Sequence, residues 1–335
     1  MNIGIAIFGT GRWGVHLIRN FQQHPNSRVV AVVDPNERRL KEIRERFNFD
    51  SDVLVTSNCS EAMEAPGIDA VAIATPASTH YDLVKEALNR GYHVFAEKPL
   101  TLNYSESLEL SQLAEKQQRQ LFVDRTYLFH SAVEGGKKVV GSGKLGELRY
   151  GYGTRTHLEP VRQDVDALWD LAIHDLCIFN SWLGETPDRV QAFGTAWLPN
   201  GGLSDLVTAK LIYPSGFQAF LHMCWLNPDK QRRLAVVGSE GTLIFDEMSS
   251  EAPLTLQQGH LEREGDRWKA GAGQSREIVA IEKAEPLAKA CDRFLSLIRD
   301  NTCSSFSAEA GVELVKILCG LSESLQQGGD IVQLL

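Results

Sequence analysis

Residues 168–179, LWDLAIHDLCIF, set three ionisable side chains, Asp170, His174 and Asp175, in an otherwise apolar run. A helix that is apolar all round is a buried helix. A carboxylate or an imidazole inside it costs free energy unless it is paired or used. Residues four apart on a helix share a face, so Asp170 and His174 are expected to project together. Asp175 points elsewhere on the helix and is expected to be structural, bonding a backbone group. An imidazole has a pKa suited to proton transfer near neutrality, which makes the pair either acid–base machinery or a buried hydrogen bond without a chemical role. One histidine with adjacent carboxylates is a poor ligand set for a metal ion, and no metal is expected.

Two further segments carry chemistry-bearing residues. Phe95-Ala96-Glu97-Lys98-Pro99 places a lysine where a short apolar strand ends; in open α/β sheets the carboxyl edge of the strands faces the ligand crevice. Gly9-Thr10-Gly11-Arg12-Trp13-Gly14 is a G-x-G-x-x-G directly after the first strand and at the start of the first helix, the context in which that spacing binds a dinucleotide. Gly9 would make the tight turn, Gly11 would let backbone approach a pyrophosphate, and Gly14 would let helix and strand pack closely. The helix N-terminus adds N–H groups and a positive dipole end. Asp34 ends the second strand about 20 residues further on, where a carboxylate accepts from the adenosine ribose 2′-OH and repels a 2′-phosphate. NAD is therefore expected over NADP, with Arg38 and Arg39 close enough to keep NADP open.

The elements that must position these residues change character along the chain. Short apolar strands at 3–9, 28–34, 69–75, 92–97 and 121–124 alternate with helical patterns at 13–24, 36–47, 79–91 and 105–118. Continuous apolar strands alternating with helices form a parallel sheet covered on both faces, so residues 1–124 are expected to be a Rossmann-type α/β domain. From 125 to 335 strands follow one another through short turns, with helices at 128–143, 168–183, 286–299 and 308–326, giving an α+β domain with a large, mainly antiparallel sheet. Residues 257–276, Gly-rich and polar, are expected to be a mobile loop.

The 335 residues are 43% apolar and 23% charged, with a net charge of −9. That balance disfavours nucleic acid and anionic membrane as partners, and no apolar run approaches the roughly 20 residues of a membrane span. The start, MNIGIAIFG, lacks a basic leader and a small-residue cleavage site. The 6 cysteines include no C-x-x-C pair and are expected to be reduced thiols of a cytoplasmic protein.

Taken together, the Gly9–Gly14 fingerprint, Ala74-Thr75-Pro76 with His80, the Glu97-Lys98-Pro99 triplet and the Asp170-x-x-x-His174 pair resemble the glucose–fructose oxidoreductase / inositol 2-dehydrogenase (Gfo/Idh/MocA) family over essentially the whole chain. The resemblance implies NAD(P)-dependent oxidation or reduction at a carbinol or carbonyl carbon of a sugar, cyclitol or nucleotide sugar. It assigns Lys98, Asp170 and His174 to catalysis: His174 as the base, Asp170 orienting the ring, Lys98 polarising the substrate oxygen or relaying the proton. The cofactor would be held by residues 9–14, including Thr10, Arg12 and Trp13, with Asp34, Thr75, Pro76, His80, Glu97 and Lys98. The segment before the pair, 155–169, resembles nucleotide-sugar dehydrogenases of the family. Arg155 and Arg162 there would suit a phosphate or carboxylate on the substrate, unless they pair with Asp164 or Glu159. Tyr127 and His130, which open the second domain, would reach the same crevice. A non-catalytic dinucleotide-binding regulator and a dehydrogenase of cyclitols or other non-nucleotide carbonyl compounds are the alternatives. The family implies dimers or tetramers, and the strand FQAFLHMCW (217–225) has Phe217, Ala219, Leu221, Met223 and Trp225 on one face but Phe220 and Cys224 on the other. An apolar outer face marks an interface, here of a homo-oligomer through the second-domain sheet.

Overall fold

The computed structural model describes residues 2–199, 201–300 and 306–334. It divides into two units, Met1–Thr126 with Leu287–Val315, and Tyr127–Pro286 with Lys316–Leu335. The first unit therefore takes a segment from near the end of the chain, whereas the sequence pattern runs the second domain unbroken from 125. The reason is a cluster of rings: Phe294 packs edge-on against Phe21 and Phe95 and beside Phe122.

The first unit is built as β1 (Ile3–Phe8), α1 (Arg12–Gln23), β2 (Ser27–Val33), α2 (Glu37–Arg46), β3 (Leu54–Thr56), α3 (Cys59–Met63), β4 (Ala70–Ile73), α4 (His80–Asn89), β5 (His93–Ala96), α5 (Tyr104–Lys116) and β6 (Leu121–Val123). All six strands are parallel, in the order β3-β2-β1-β4-β5-β6. This is the doubly wound order whose direction reverses between β1 and β4, the place where such sheets bind dinucleotides. β1 and β4 are buried along their whole length, as strands covered by helices on both faces must be. The short pair β3–α3 is missing from the sequence pattern because three half-buried residues give no periodicity.

The second unit opens with α6 (Ser131–Gly141), β7 (Leu148–Leu158) and α7 (Ile173–Leu183). Strands β8 (Arg189–Thr195), β9 (Leu206–Ile212), β10 (Gln218–Cys224), β11 (Leu226–Gly238), β12 (Gly241–Asp246), β13 (Leu254–Gln258), β14 (Leu261–Glu264), β15 (Arg267–Ala270) and β16 (Ser275–Ile278) follow. Helices α8 (Pro286–Arg299) and α9 (Phe306–Gln326) and the short β17 (Val332–Gln333) end the chain, and the boundary between units falls within α9. Nine strands form one sheet in the order β16-β13-β12-β11-β7-β10-β9-β8-β17, antiparallel except for β7 beside β10. Helices α6 and α7 meet at Gly136, where a Cβ would come within 2.2 Å of the Trp182 ring.

Two expectations are corrected here. Residues 257–276 are not a loop: β14 and β15 form a hairpin and β16 pairs with β13. Backbone pairing needs no apolar alternation, and these fully exposed strands have none. Residues 168–183 are not one regular helix: Leu168–Ala172 form a π-helical turn, and α-helix begins at Ile173.

On the open face of the sheet, register places Phe220 beside Tyr152, and Phe193 and Tyr150 on the same side. Phe220 is 45% exposed, while Ala219, Leu221 and Met223 are buried on the opposite side. Cys224, expected on the outer side, is buried at the end of β10, where its sulfur accepts from the Leu226 N–H.

Candidate functional site

In the first unit the fingerprint loop is shaped by backbone contacts. Gly9 has φ +91°, and a Cβ there would lie 2.6 Å from the Ala74 carbonyl oxygen. A Cβ on Gly14 would lie 1.9 Å from the Gly9 oxygen, so β1, its turn and α1 close on one another without room for a methyl group. Gly11 differs: a Cβ there meets nothing within 4 Å. Its backbone borders open space at the start of α1, where no side chain caps the helix and the first N–H groups lack intrahelical partners. That cradle fits a pyrophosphate. Arg12 and Trp13 are exposed beside it, and Thr10 is buried beneath it.

Asp34 is only 3% exposed. Its Oδ2 accepts from the Thr10 N–H at 2.8 Å and the Thr10 hydroxyl at 2.9 Å, and its Oδ1 from the Asn36 N–H at 2.9 Å. The carboxylate therefore braces the glycine loop first, with one oxygen retaining acceptor capacity. Arg39 stands 3.7 Å from Oδ2, while Arg38 pairs with Glu42.

Thr75 and Pro76 follow β4 and adjoin Gly9 through Ala74. His80, expected at the cofactor, is buried, with Nδ1 2.8 Å from the Pro99 oxygen and Nε2 3.0 Å from the Thr75 oxygen. It ties the segment after β4 to the segment after β5. That second segment carries Glu97, buried, and Lys98, half-buried. Burial, and then the neighbouring Asp124, hold the Glu97 carboxyl well above its usual range. Asp124, at the end of β6, is pushed up to about 6 by burial, against the Thr126 hydroxyl and the charges of Lys98 and Arg125.

In the second unit the polar residues form a network under the His174 ring. His174 lies over Tyr127, with ring centroids 4.7 Å apart. Tyr127 donates to Glu247 and accepts from Arg155 Nη1 at 3.0 Å, and the Arg155 guanidinium stands 4.6 Å from the Tyr127 ring centre. Arg155 Nε donates to Asp175 Oδ1 at 2.7 Å, and Arg232 donates to Glu247 at 2.8 Å. Burial alone would lower the Arg155 pKa; Asp175, then Tyr127 and Glu247, outweigh it and keep the guanidinium charged. Asp170 lies at the π-turn, accepting from the Trp225 indole at 3.2 Å and standing 3.6 Å from Arg162.

Three expectations change at this site, and for Arg162 the stated alternative, pairing with Asp164, is the one observed. Arg155, expected to face an anionic substrate, is 4% exposed and held by Asp175. Arg162 is held by both oxygens of Asp164, at 2.9 and 2.5 Å, as well as standing near Asp170. Asp175 meets a guanidinium rather than a backbone group. His130 caps α6, accepting from the Ala132 N–H. The residues that sequence reasoning missed are Glu247, Arg232, Trp225 and Asp124. Only Asp124 leaves a visible trace, as an acidic end to the strand LFVD beside the lysine segment. Among the described residues no group of three or more His, Cys, Asp or Glu side chains is placed to hold a metal ion, and no helix is long and apolar enough to cross a membrane.

Residues 3–125 match the oxidoreductase family with an NAD-binding Rossmann fold, and residues 135–244 match the GFO/IDH/MocA C-terminal domain. The chain belongs to the GFO/IDH/MocA family. It is an oxidoreductase whose first unit is the NAD-binding domain. It is similar to a scyllo-inositol 2-dehydrogenase (NAD(+)) of Bacillus subtilis, 28% identical over 251 residues that cover 72% of each chain. It is also similar to a 2,7-anhydro-N-acetylneuraminate hydratase of Escherichia coli, 25% identical across 95% of this chain and 87% of that one. A third relative is the UDP-N-acetylglucosamine 3-dehydrogenase of Acidithiobacillus ferrooxidans, 27% identical over 81% of this chain and 82% of its own. The solved structure of a protein of that name and organism superposes with a TM-score of 0.82, at 22% identity over 98% and 99% of the two chains.

Proposed function

We propose that the protein transfers hydride between NAD and a carbinol or carbonyl carbon of a sugar or cyclitol, with His174 as the acid–base group. The observation that carries this is the setting of His174, half-buried on Tyr127 above side chains already engaged with one another. Such a ring is held in place, and an imidazole so held suits proton exchange with a substrate hydroxyl. Bound NAD supplies the hydride acceptor. Lys98 donates to the substrate oxygen, and Asp170, steadied by Trp225 and Arg162, stabilises the imidazolium as the hydroxyl proton arrives. Thr75, Pro76 and Glu97 line the cofactor's nicotinamide end, and Asp34 uses its remaining acceptor capacity for the adenosine ribose.

Because Arg155 and Arg162 are engaged internally, the preferred substrate is an uncharged ring such as a hexose or an inositol. A nucleotide sugar is the second reading, favoured by the relative named for UDP-N-acetylglucosamine. We further propose that the aromatic outer face around Phe220 joins copies of the chain into a homodimer or homotetramer, and that the protein acts in the cytoplasm.

The test is NADH formation with scyllo-inositol, myo-inositol, glucose and UDP-N-acetylglucosamine, followed by His174→Ala on the best of them. That substitution should lower kcat by roughly 100- to 10,000-fold, the range for a positioned acid–base group, with NAD affinity near normal. Oxidation by the unaltered protein should fall as acid protonates the imidazole. A folded His174→Ala protein with full turnover would overturn this reading.

A further inference from the structure

The carboxyl edge of the first unit holds a pair of acids to which the proton transfer described above assigns no part. Ala96 and Val123 are neighbours in parallel register, and the Asp124 N–H donates to the Ala96 oxygen at 2.7 Å. Glu97 and Asp124 thus leave adjoining strands side by side, on backbones about 4.8 Å apart. Glu97 is 6% exposed and Asp124 2%. Asp124 Oδ2 accepts from the Thr126 hydroxyl at 2.6 Å, but Asp124 Oδ1 and Glu97 Oε1 are buried without a hydrogen-bond partner. The charged groups that act on the pair are Lys98 and Arg125. A buried acceptor left unmatched is costly, and two adjacent carboxylates in a dry site resist being ionised together. A carboxyl proton between them gives one of those bare oxygens a donor and leaves a single negative charge beside Lys98.

We propose that Glu97 and Asp124 hold one proton between them, and that the remaining charge is the counter-ion that keeps Lys98 a charged donor. Both acids are then positioning residues for the lysine. The proposal rests on the reading of Lys98 as the group that meets the substrate oxygen, but its measurements need no substrate.

The pH dependence has a definite sign. Both folded-state pKa values are raised, so the stability these groups contribute is fully present below the ordinary carboxylate range. It is lost as pH rises through about 6 for Asp124 and through the raised range of Glu97. At pH 8 the first unit therefore carries an ionised buried carboxylate for the sake of the lysine. Asp124→Asn keeps the Thr126 contact and offers an N–H toward Glu97. It should raise the melting temperature at pH 8 by about 2–4 °C, with the gain shrinking toward pH 5.

Lys98 is read separately, by competitive acetylation of the full-length protein and peptide mass spectrometry at pH 8. Without its counter-ion the amine loses its proton more readily, so Lys98 in Asp124→Asn should be labelled at least about threefold faster, with distant lysines unchanged. Should Asp124→Asn fold poorly, Glu97→Gln tests the shared proton instead: the infrared band of a protonated carboxyl, present in the unaltered protein at pH 7.5, should disappear. A lower melting temperature for folded Asp124→Asn at pH 8, unaltered Lys98 labelling, or persistence of that band in Glu97→Gln would each overturn the proposal. If labelling and stability move as expected while no sugar or cyclitol is turned over, the proton pair stands and the functional reading fails.

Discussion

The two units prepare their polar residues in opposite ways. In the first, backbone does the shaping: Gly9 and Gly14 have no room for a methyl group, and Gly11 is left bordering open space. In the second, side chains do it, with Asp175, Arg155, Tyr127, Glu247 and Arg232 joined beneath one imidazole. A backbone cradle is fixed by neighbours within a few residues, so it tolerates change elsewhere and fails sharply at its own glycines. A side-chain network draws on residues from 127 to 247, so each member's loss strands the next. Cofactor recognition and substrate recognition should accordingly break in different currencies, affinity in the first unit and stability in the second.

The largest effect expected from this contrast lies in the network. Arg155→Ala leaves Asp175 buried at 1% exposure without its cation, and removing one partner of a buried pair costs about 3–5 kcal/mol. Replacing both, as Arg155→Met with Asp175→Leu, should recover much of that loss, because no uncompensated charge remains. Chemical denaturation of the three variants measures this. An Arg155→Ala protein as stable as its parent would show that the network is ornamental and that Arg155 turns outward to a substrate after all.

The same contrast explains what was legible in the sequence. Gly9, Gly11, Gly14 and Asp34 declare themselves because their spacing is their mechanism, and the alternation of strands and helices gives the parallel sheet by the same local logic. Asp170 and His174 stand out because ionisable groups are unexpected in an apolar run. Which partner satisfies a buried charge is not local: Arg155 finds Asp175 twenty positions away, while the nearer Asp164 takes Arg162. Nothing in the run LWDLAIHDLCIF announces that its first turn is π-helical, because the apolar residues there suit either winding. The attachment of 287–315 to the first unit was equally hidden, since it depends on Phe294 meeting three rings distant in sequence.

Within the cradle, two glycines should separate folding from binding. Gly14→Ala drives a methyl group to 1.9 Å from the Gly9 oxygen, and forced overpacking costs about 1–3 kcal/mol, so the melting temperature should fall along with NAD affinity. Gly11→Ala meets no atom within 4 Å; its stability should stay within about 0.5 kcal/mol of the parent, allowing for helix-end preferences. NAD binding should nevertheless weaken by roughly tenfold or more, since the methyl group occupies the approach of the pyrophosphate. Titration calorimetry and thermal melting on the same samples decide it. Equal NAD affinity in Gly11→Ala and its parent would remove the pyrophosphate from that place.

The smallest effect expected is at Asp34, where both kinds of preparation meet in one side chain. Its carboxylate accepts three hydrogen bonds from Thr10 and Asn36, which is the network habit, yet it belongs to the glycine cradle. Asp34→Ser removes the charge that would repel a 2′-phosphate and frees Arg39, 3.7 Å away, to meet one. The preference for NAD over NADP should therefore shrink by roughly tenfold, about 1.4 kcal/mol. Because the serine cannot replace every bond to Thr10, absolute NAD affinity should drop as well, and NADP affinity should rise by less than the change in ratio. Isothermal titration with both cofactors separates the two contributions. Tighter binding of NADP than NAD to the unaltered protein would show that Asp34 serves the loop alone and that cofactor choice is made elsewhere.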